Sequence, residues 1–138
     1  MLNQSVAQEK RIGRAIRTMK KVTLYHNPSC GNSRGALALM RAREVDFETI
    51  EYLKTPLDRT KLESIVAMLE VPPADLVRKD RRFEELGLKA ANYVTAEAVV
   101  TLLLKHPELM QRPVIVKGGK AVIARPPELL LPLLDVPN

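Results

Sequence analysis

Cys30 is the only cysteine in a chain of 138 residues, and it sits in the loop-forming run Pro28-Ser29-Cys30-Gly31-Asn32-Ser33. A strand pattern ends before this run and a helix pattern begins after it. The sulfur would therefore meet unpaired backbone N–H groups and the positive end of a helix dipole. Both favour the thiolate, the nucleophilic form. A thiol with an ordinary pKa of about 8.5 is only slightly ionised at neutral pH, and a fall of about two units would ionise most of it. Gly31 lets a ligand approach the backbone, the amides from Gly31 to Arg34 can form a nest for an anion, and Arg34 adds positive charge one turn on. The competing role for a lone cysteine is a small apolar filler. Against it stand the neighbours of Cys30, which are loop formers rather than core formers. A phosphatase-type loop needs an arginine six positions after the cysteine, where Ala36 stands, and a dithiol motif needs a second cysteine where Ser33 stands. Any thiol exchange here is monothiol.

The second group with chemical potential is a set of arginines. Val114-Ile115-Val116 and Ala121-Val122-Ile123 flank Lys117-Gly118-Gly119-Lys120, and a Gly-Gly pair between β-branched runs predicts a hairpin with a two-residue loop. That register sets Lys117 opposite Lys120, Val114 opposite Ile123 and Arg112 opposite Arg125. Like charges facing each other destabilise a sheet, so the two arginines either splay into solvent or hold an anion between them. Each precedes a proline, in Arg112-Pro113 and Arg125-Pro126, and proline at a strand entrance marks an edge, a bulge or a cis bond. Arg78 stands among Lys79, Arg81 and Arg82 and by itself reads as a solvated surface residue.

The elements that must position these residues follow from patterning. Val22 to His26 alternates apolar and polar positions and stops at Asn27-Pro28, which predicts a strand. Ser33 can cap a helix running to about Arg43, and Phe47 to Tyr52 reads as a second strand, completing a βαβ unit with parallel strands and a right-handed crossover. Thr60 is expected to cap a helix over 61–70, where Leu62, Ile65, Val66 and Leu69 recur at helical spacing before Pro72-Pro73. Short helical pieces over 74–79 and 83–86 follow, and Thr95 caps a further helix that stops at His106-Pro107. After the hairpin, Pro126-Pro127-Glu128 opens a last helix through Leu134, with Pro127 suited to the first helical position and Pro132 shortening or kinking it. The order is βα, β, helical insertion, ββα: a single α/β domain with a small mixed sheet.

Charge narrows the partner classes. The formal net charge is +6, but Lys10, Arg11, Arg14, Arg17, Lys20 and Lys21 against Glu9 place most of it before the first strand. The body is close to neutral, which argues against a nucleic-acid partner. Residues 1–20 read as a basic, poorly ordered extension, with Met19 as a candidate start of the domain proper. A contact with an acidic partner or a membrane surface and a short targeting peptide are the other roles for such a tail. Uninterrupted apolar stretches reach about five residues, far short of the ~20 that span a bilayer, and no membrane partner is expected. Without a secretory apolar run or a second cysteine, a reducing, cytoplasmic location is expected. Two histidines and one cysteine are too few for a closed Cys/His zinc site, so no metal is expected.

Four separated blocks carry a resemblance: His26-Asn27-Pro28-Ser29-Cys30-Gly31-Asn32-Ser33-Arg34, then Leu76-Val77-Arg78-Lys79, then Gln111-Arg112-Pro113-Val114-Ile115-Val116, and Ala124-Arg125-Pro126. Together they resemble the glutaredoxin-coupled arsenate reductase family over residues 22–138. The resemblance implies a thioredoxin-like fold for 21–138, with Cys30 as nucleophile and Arg78, Arg112 and Arg125 holding the oxyanion. It further implies that His26 lies near the thiolate and tunes it, a role also expected of Ser33 and Arg34, and that the Arg112-Pro113 bond is cis. The expected substrate is arsenate, with phosphate as a non-reducible look-alike. Because one thiol cannot complete a two-electron reduction by an internal disulfide, the second thiol must come from outside, most simply glutathione as co-substrate, with a glutaredoxin clearing the mixed disulfide. No bound cofactor is expected. Two other readings fit the same residues: a glutathione-dependent monothiol oxidoreductase of another substrate, and a non-enzymatic regulatory binding protein on the same fold.

Overall fold

The structure is a computed structural model that describes residues 22–135; the basic extension 1–20 lies outside the described residues. Its sheet has four strands, β1 (Val22–His26), β2 (Phe47–Glu51), β3 (Val114–Lys117) and β4 (Lys120–Ile123), in the order β2-β1-β3-β4. β1 and β2 run parallel, with Val22 beside Phe47 and His26 beside Glu51. β1 pairs antiparallel with β3, and β3 with β4. The hairpin register sets Lys117 opposite Lys120 and Val114 opposite Ile123. Its loop is Gly118 and Gly119, both at positive φ (57° and 81°), a backbone that side-chain-bearing residues avoid.

Helices cover both faces of this sheet. On one face lie α1 (Gly31–Ala42) and the C-terminal segment, a 3₁₀ turn over Pro127–Leu130 running into α5 (Leu131–Leu134). Leu24 and Ile115 of the sheet pack there with Ala36, Met40, Leu130 and Leu133. α1 and the 3₁₀ turn approach closely at Gly35, where a Cβ would stand 2.9 Å from Pro127 Cγ. The opposite face meets the insertion, composed of α2 (Arg59–Met68), α3 (Arg81–Glu85), α4 (Ala96–Lys105) and 3₁₀ turns over Pro73–Leu76, Ala90–Asn92 and Pro107–Leu109. Tyr25 and Val114 pack there with Leu62, Ile65, Val99 and Leu103. Neighbours in a strand thus serve opposite cores, as the two-residue period of a strand requires. This is the thioredoxin-like arrangement with a helical insertion between the βαβ and ββα halves.

Two expected caps fall elsewhere. α2 is capped by Asp58, whose carboxylate accepts from Lys61 N at 2.8 Å, and not by Thr60, which lies inside the helix. α1 begins two residues before Ser33: its N-cap is Cys30 itself, in extended conformation and without a side-chain cap bond. The shift matters chemically, because it places the sulfur on the helix terminus rather than in the loop ahead of it. Thr95 does cap α4, accepting from Ala98 N at 3.1 Å.

Candidate active site

The loop from β1 to α1 is pinned by Asn27, a residue the sequence reading did not single out. Its carbonyl accepts from Cys30 N at 3.0 Å, its side-chain oxygen accepts from Ser29 N at 3.0 Å, and its own N–H donates to Ser33 Oγ at 3.2 Å. Asn-Pro is a turn-forming pair whose side chain bonds locally, which is the signal that was available. With the loop held, Cys30 is half-buried at the head of α1. Burial works to raise its pKa, but the Ser33 amide, the Arg112 guanidinium, the Asn32 amide and the Arg125 guanidinium all favour the anion, and together they bring the thiol down to about 7. Ser33 thus serves the sulfur through its backbone; its fully buried hydroxyl serves Asn27.

The hairpin delivers two of the arginines. Arg125 Nη1 donates to Cys30 Sγ at 3.6 Å and to the Arg112 carbonyl at 2.8 Å. Arg112 Nη1 donates to the Glu108 carbonyl at 3.4 Å, while its buried Nε has no hydrogen-bond partner among the described residues. The Arg112-Pro113 and Arg125-Pro126 peptide bonds are both cis. The facing arginines expected from the register therefore converge on the sulfur instead of splaying into solvent.

Arg78 arrives by a long-range route. Val77 forms an isolated antiparallel bridge with Met110, with Arg78 N donating to Leu109 O at 2.7 Å and Gln111 N to Leu76 O at 2.8 Å. This lays Arg78 alongside the segment that enters Arg112. Arg78 Nε contacts Asp80 Oδ2 at 3.2 Å, and Asp80 also caps α3 by accepting from Phe83 N.

Tyr52, 1% exposed and just past the end of β2, stands where these groups meet. Its hydroxyl donates to Met110 O at 3.4 Å. Burial raises the phenol pKa, the Cys30 charge adds to that rise, and the nearby guanidiniums of Arg112 and Arg78 oppose it. One buried hydroxyl thus feels Cys30, Arg112 and Arg78 together.

The two remaining candidates face other partners. Arg34 is exposed and donates Nη1 to Pro28 O at 3.4 Å, folding back over the loop. His26 is 5% exposed; burial lowers its pKa, with Glu51 opposing and Arg41 reinforcing the shift, and its Nδ1 has no hydrogen-bond partner among the described residues. No cluster of three metal-ligating side chains occurs among the described residues, and none of their helices is long and apolar enough to cross a membrane.

The sequence profile of the ArsC family matches residues 25–132. The chain belongs to the ArsC family. Among relatives, it is 38% identical over 117 residues to the uncharacterised protein YfgD of Escherichia coli (strain K12), spanning 83% of this chain and 98% of that one. It is 36% identical over 117 residues to the arsenate reductase of the same strain, spanning 84% of this chain and 82% of that one. The solved arsenate reductase from Vibrio cholerae matches with a TM-score of 0.75 and 31% identity over 83% of this chain and 98% of that one. As an ArsC family protein the chain is an oxidoreductase with a thioredoxin-like fold, and Cys30 is its only redox-capable thiol.

Proposed function

We propose that this ArsC family protein reduces arsenate to arsenite through Cys30, with glutathione as the second thiol and a glutaredoxin restoring the enzyme. The carrying observation is a lone thiol brought to about 7 with two guanidiniums directed at it. Arsenate near neutral pH is a tetrahedral oxyanion with one or two negative charges. Arg112, whose buried Nε has no partner among the described residues, and Arg125 can bind it by charge-assisted hydrogen bonds and offset its repulsion of the thiolate, with Arg78 completing the cation set.

The Cys30 thiolate attacks arsenic to form an S–As bond, and one oxygen leaves as water after taking up protons. Arg112 and Arg125 stabilise the charge that develops on the remaining oxygens. A glutathione thiolate then attacks the Cys30 sulfur; an S–S bond forms, the S–As bond breaks, and its electron pair stays on arsenic, taking As(V) to As(III). Glutaredoxin removes the glutathionyl group by thiol exchange and frees the Cys30 thiolate. Such a cycle needs a reduced thiol pool of the kind the cytoplasm holds.

The test is arsenite release by the purified protein with glutathione and glutaredoxin each omitted in turn, beside Cys30→Ser. Activity that needs both donors and disappears in Cys30→Ser supports the reading. Thiol exchange without arsenite release favours the second reading, a monothiol oxidoreductase of another substrate, which the likeness to a relative of unassigned activity keeps in play.

A further inference from the structure

A groove of about 740 Å³ runs along the outer edge of β4 and ends at Arg125, the residue whose guanidinium touches Cys30. Its walls are apolar, with Val77, Ile123 and Leu133 among them, and the large side chains Val71 and Leu129 stand on its flank 41% and 47% exposed. Its charged lining is mixed: Lys79, Lys120 and Arg125 against Glu70 and Asp75. The oxyanion chemistry uses only the Arg125 end, so the rest of this volume has no task in the first step.

The second step supplies one. We propose that this groove seats the glutathionyl group when it is joined to Cys30, an inference that rests on the reading of glutathione as the second thiol. The ligand is a tripeptide with two carboxylates, one ammonium and a central thiol. The groove offers cations for both carboxylates and an anion for the ammonium, with one of each to spare, so its excess of one positive charge faces a ligand with an excess of one negative charge. Lys79 Nζ donates to Ala74 O and Val77 O, which leaves one of its three donors. Lys120 is held only loosely by Glu70, at 3.7 Å between exposed side chains, so both can turn to a ligand of opposite charges.

The backbone adds a direction. Lys117 opposite Lys120 and Ile115 opposite Val122 are the hydrogen-bonded pairs of the hairpin, since Ala124 N donates to Pro113 O in the same alternation. The polar groups of Ala121 and Ile123 therefore point away from β3. Ala121 is bridged by Leu69, and the Ile123 carbonyl accepts from Arg125 N. The Ile123 N–H points outward from the hairpin, in a residue that lines the groove two positions from Arg125, where an extended peptide would present a carbonyl. The groove's volume falls within the usual range of about 300–1,000 Å³ for small-ligand sites.

The experiment follows formation of the Cys30 mixed disulfide, in which the Cys30 thiolate breaks one S–S bond and makes another, releasing a thiolate and needing no arsenate. Oxidised glutathione is compared with bis(2-hydroxyethyl) disulfide, an uncharged reagent that reports intrinsic thiolate reactivity. Lys120→Glu and Leu129→Glu, both at exposed positions, should slow reaction with oxidised glutathione by about tenfold, equivalent to about 1.4 kcal/mol, and leave the uncharged reagent unaffected. Equal rates for variants and parent with oxidised glutathione would overturn the proposal. So would variants whose defect appears only when glutaredoxin removes the glutathionyl group, because the groove would then be a protein-docking face. Absence of arsenite release with every thiol donor would instead sink the arsenate reading and leave this preference measurable by itself.

Discussion

Arg125 Nη1 lies 3.6 Å from Cys30 Sγ, and the same nitrogen donates to the Arg112 carbonyl at 2.8 Å. Residues 95 positions apart are thus joined by a guanidinium that is itself fixed by the opposing arm of the hairpin. Because the carbonyl orients the cation, the contact costs little further ordering, and the thiolate gains a partner that does not depend on substrate.

The thiol should titrate accordingly. With a pKa of about 7, Cys30 is protonated below neutrality and ionised above it, so its alkylation by iodoacetamide should rise through a midpoint near pH 7. Arg125→Ala removes one of the groups favouring the anion and moves that midpoint upward; at pH 6.5 the variant should react several times more slowly than the parent. Coincident pH profiles would show that Arg125 does not act on the sulfur.

Ser33→Ala separates the serine's two parts. The Oγ is buried and accepts from Asn27 N at 3.2 Å, whereas the amide faces the sulfur. Deleting the hydroxyl leaves a buried N–H unsatisfied and should cost about 1–3 kcal/mol in denaturant unfolding. The amide is retained, so the alkylation midpoint should stay near pH 7. A large upward move in that midpoint without loss of stability would reverse the assignment.

How far these roles were legible depends on whether local or distant contacts define them. The strand Val22–His26 and the hairpin register were readable because alternation and a Gly-Gly loop are local signals, and the fold follows from their order. The facing of Arg112 and Arg125 followed from that register alone. Cap positions were less so: Ser33 and Thr60 have capping chemistry, but Cys30 and Asp58 occupy the caps because the chain turns three residues earlier at the first site and two at the second. Arg78 was indistinguishable from Lys79, Arg81 and Arg82 by local sequence, since its position is set by the Val77–Met110 bridge. Tyr52 was invisible for the same reason, its partner lying 58 residues away.

Tyr52→Phe tests the buried hydroxyl. The phenol donates to the Met110 carbonyl in the segment that leads into Arg112. Without it that buried acceptor loses its partner, which should cost about 1–3 kcal/mol of stability. The loosened segment should also raise the KM for arsenate while Cys30 stays reactive to iodoacetamide. A variant with parental stability and parental KM would show that the hydroxyl holds nothing in place.

Asp80 has two tasks that its variants can divide. Its carboxylate caps α3 at Phe83 N, 3.2 Å away, and contacts Arg78 Nε at 3.2 Å. Burial works to raise its pKa, but the Phe83 amide and Arg78 outweigh it and hold the carboxyl below its ordinary value. A lowered folded pKa stabilises the protein above the ordinary value of about 3.9, and that contribution is lost as pH falls through the folded value. Asp80→Ala should therefore lose about 0.5–2 kcal/mol at neutral pH, as capping losses do, and the deficit should shrink in acid. Asp80→Asn keeps a competent cap and loses only the charge's contribution, so at neutral pH it should be destabilised less than Asp80→Ala. It removes the charge that orients Arg78, however, so its KM for arsenate should rise severalfold, as in Asp80→Ala. If Asp80→Asn matched the parent in KM, the carboxylate would be a helix cap only, and Arg78 would reach the oxyanion without it.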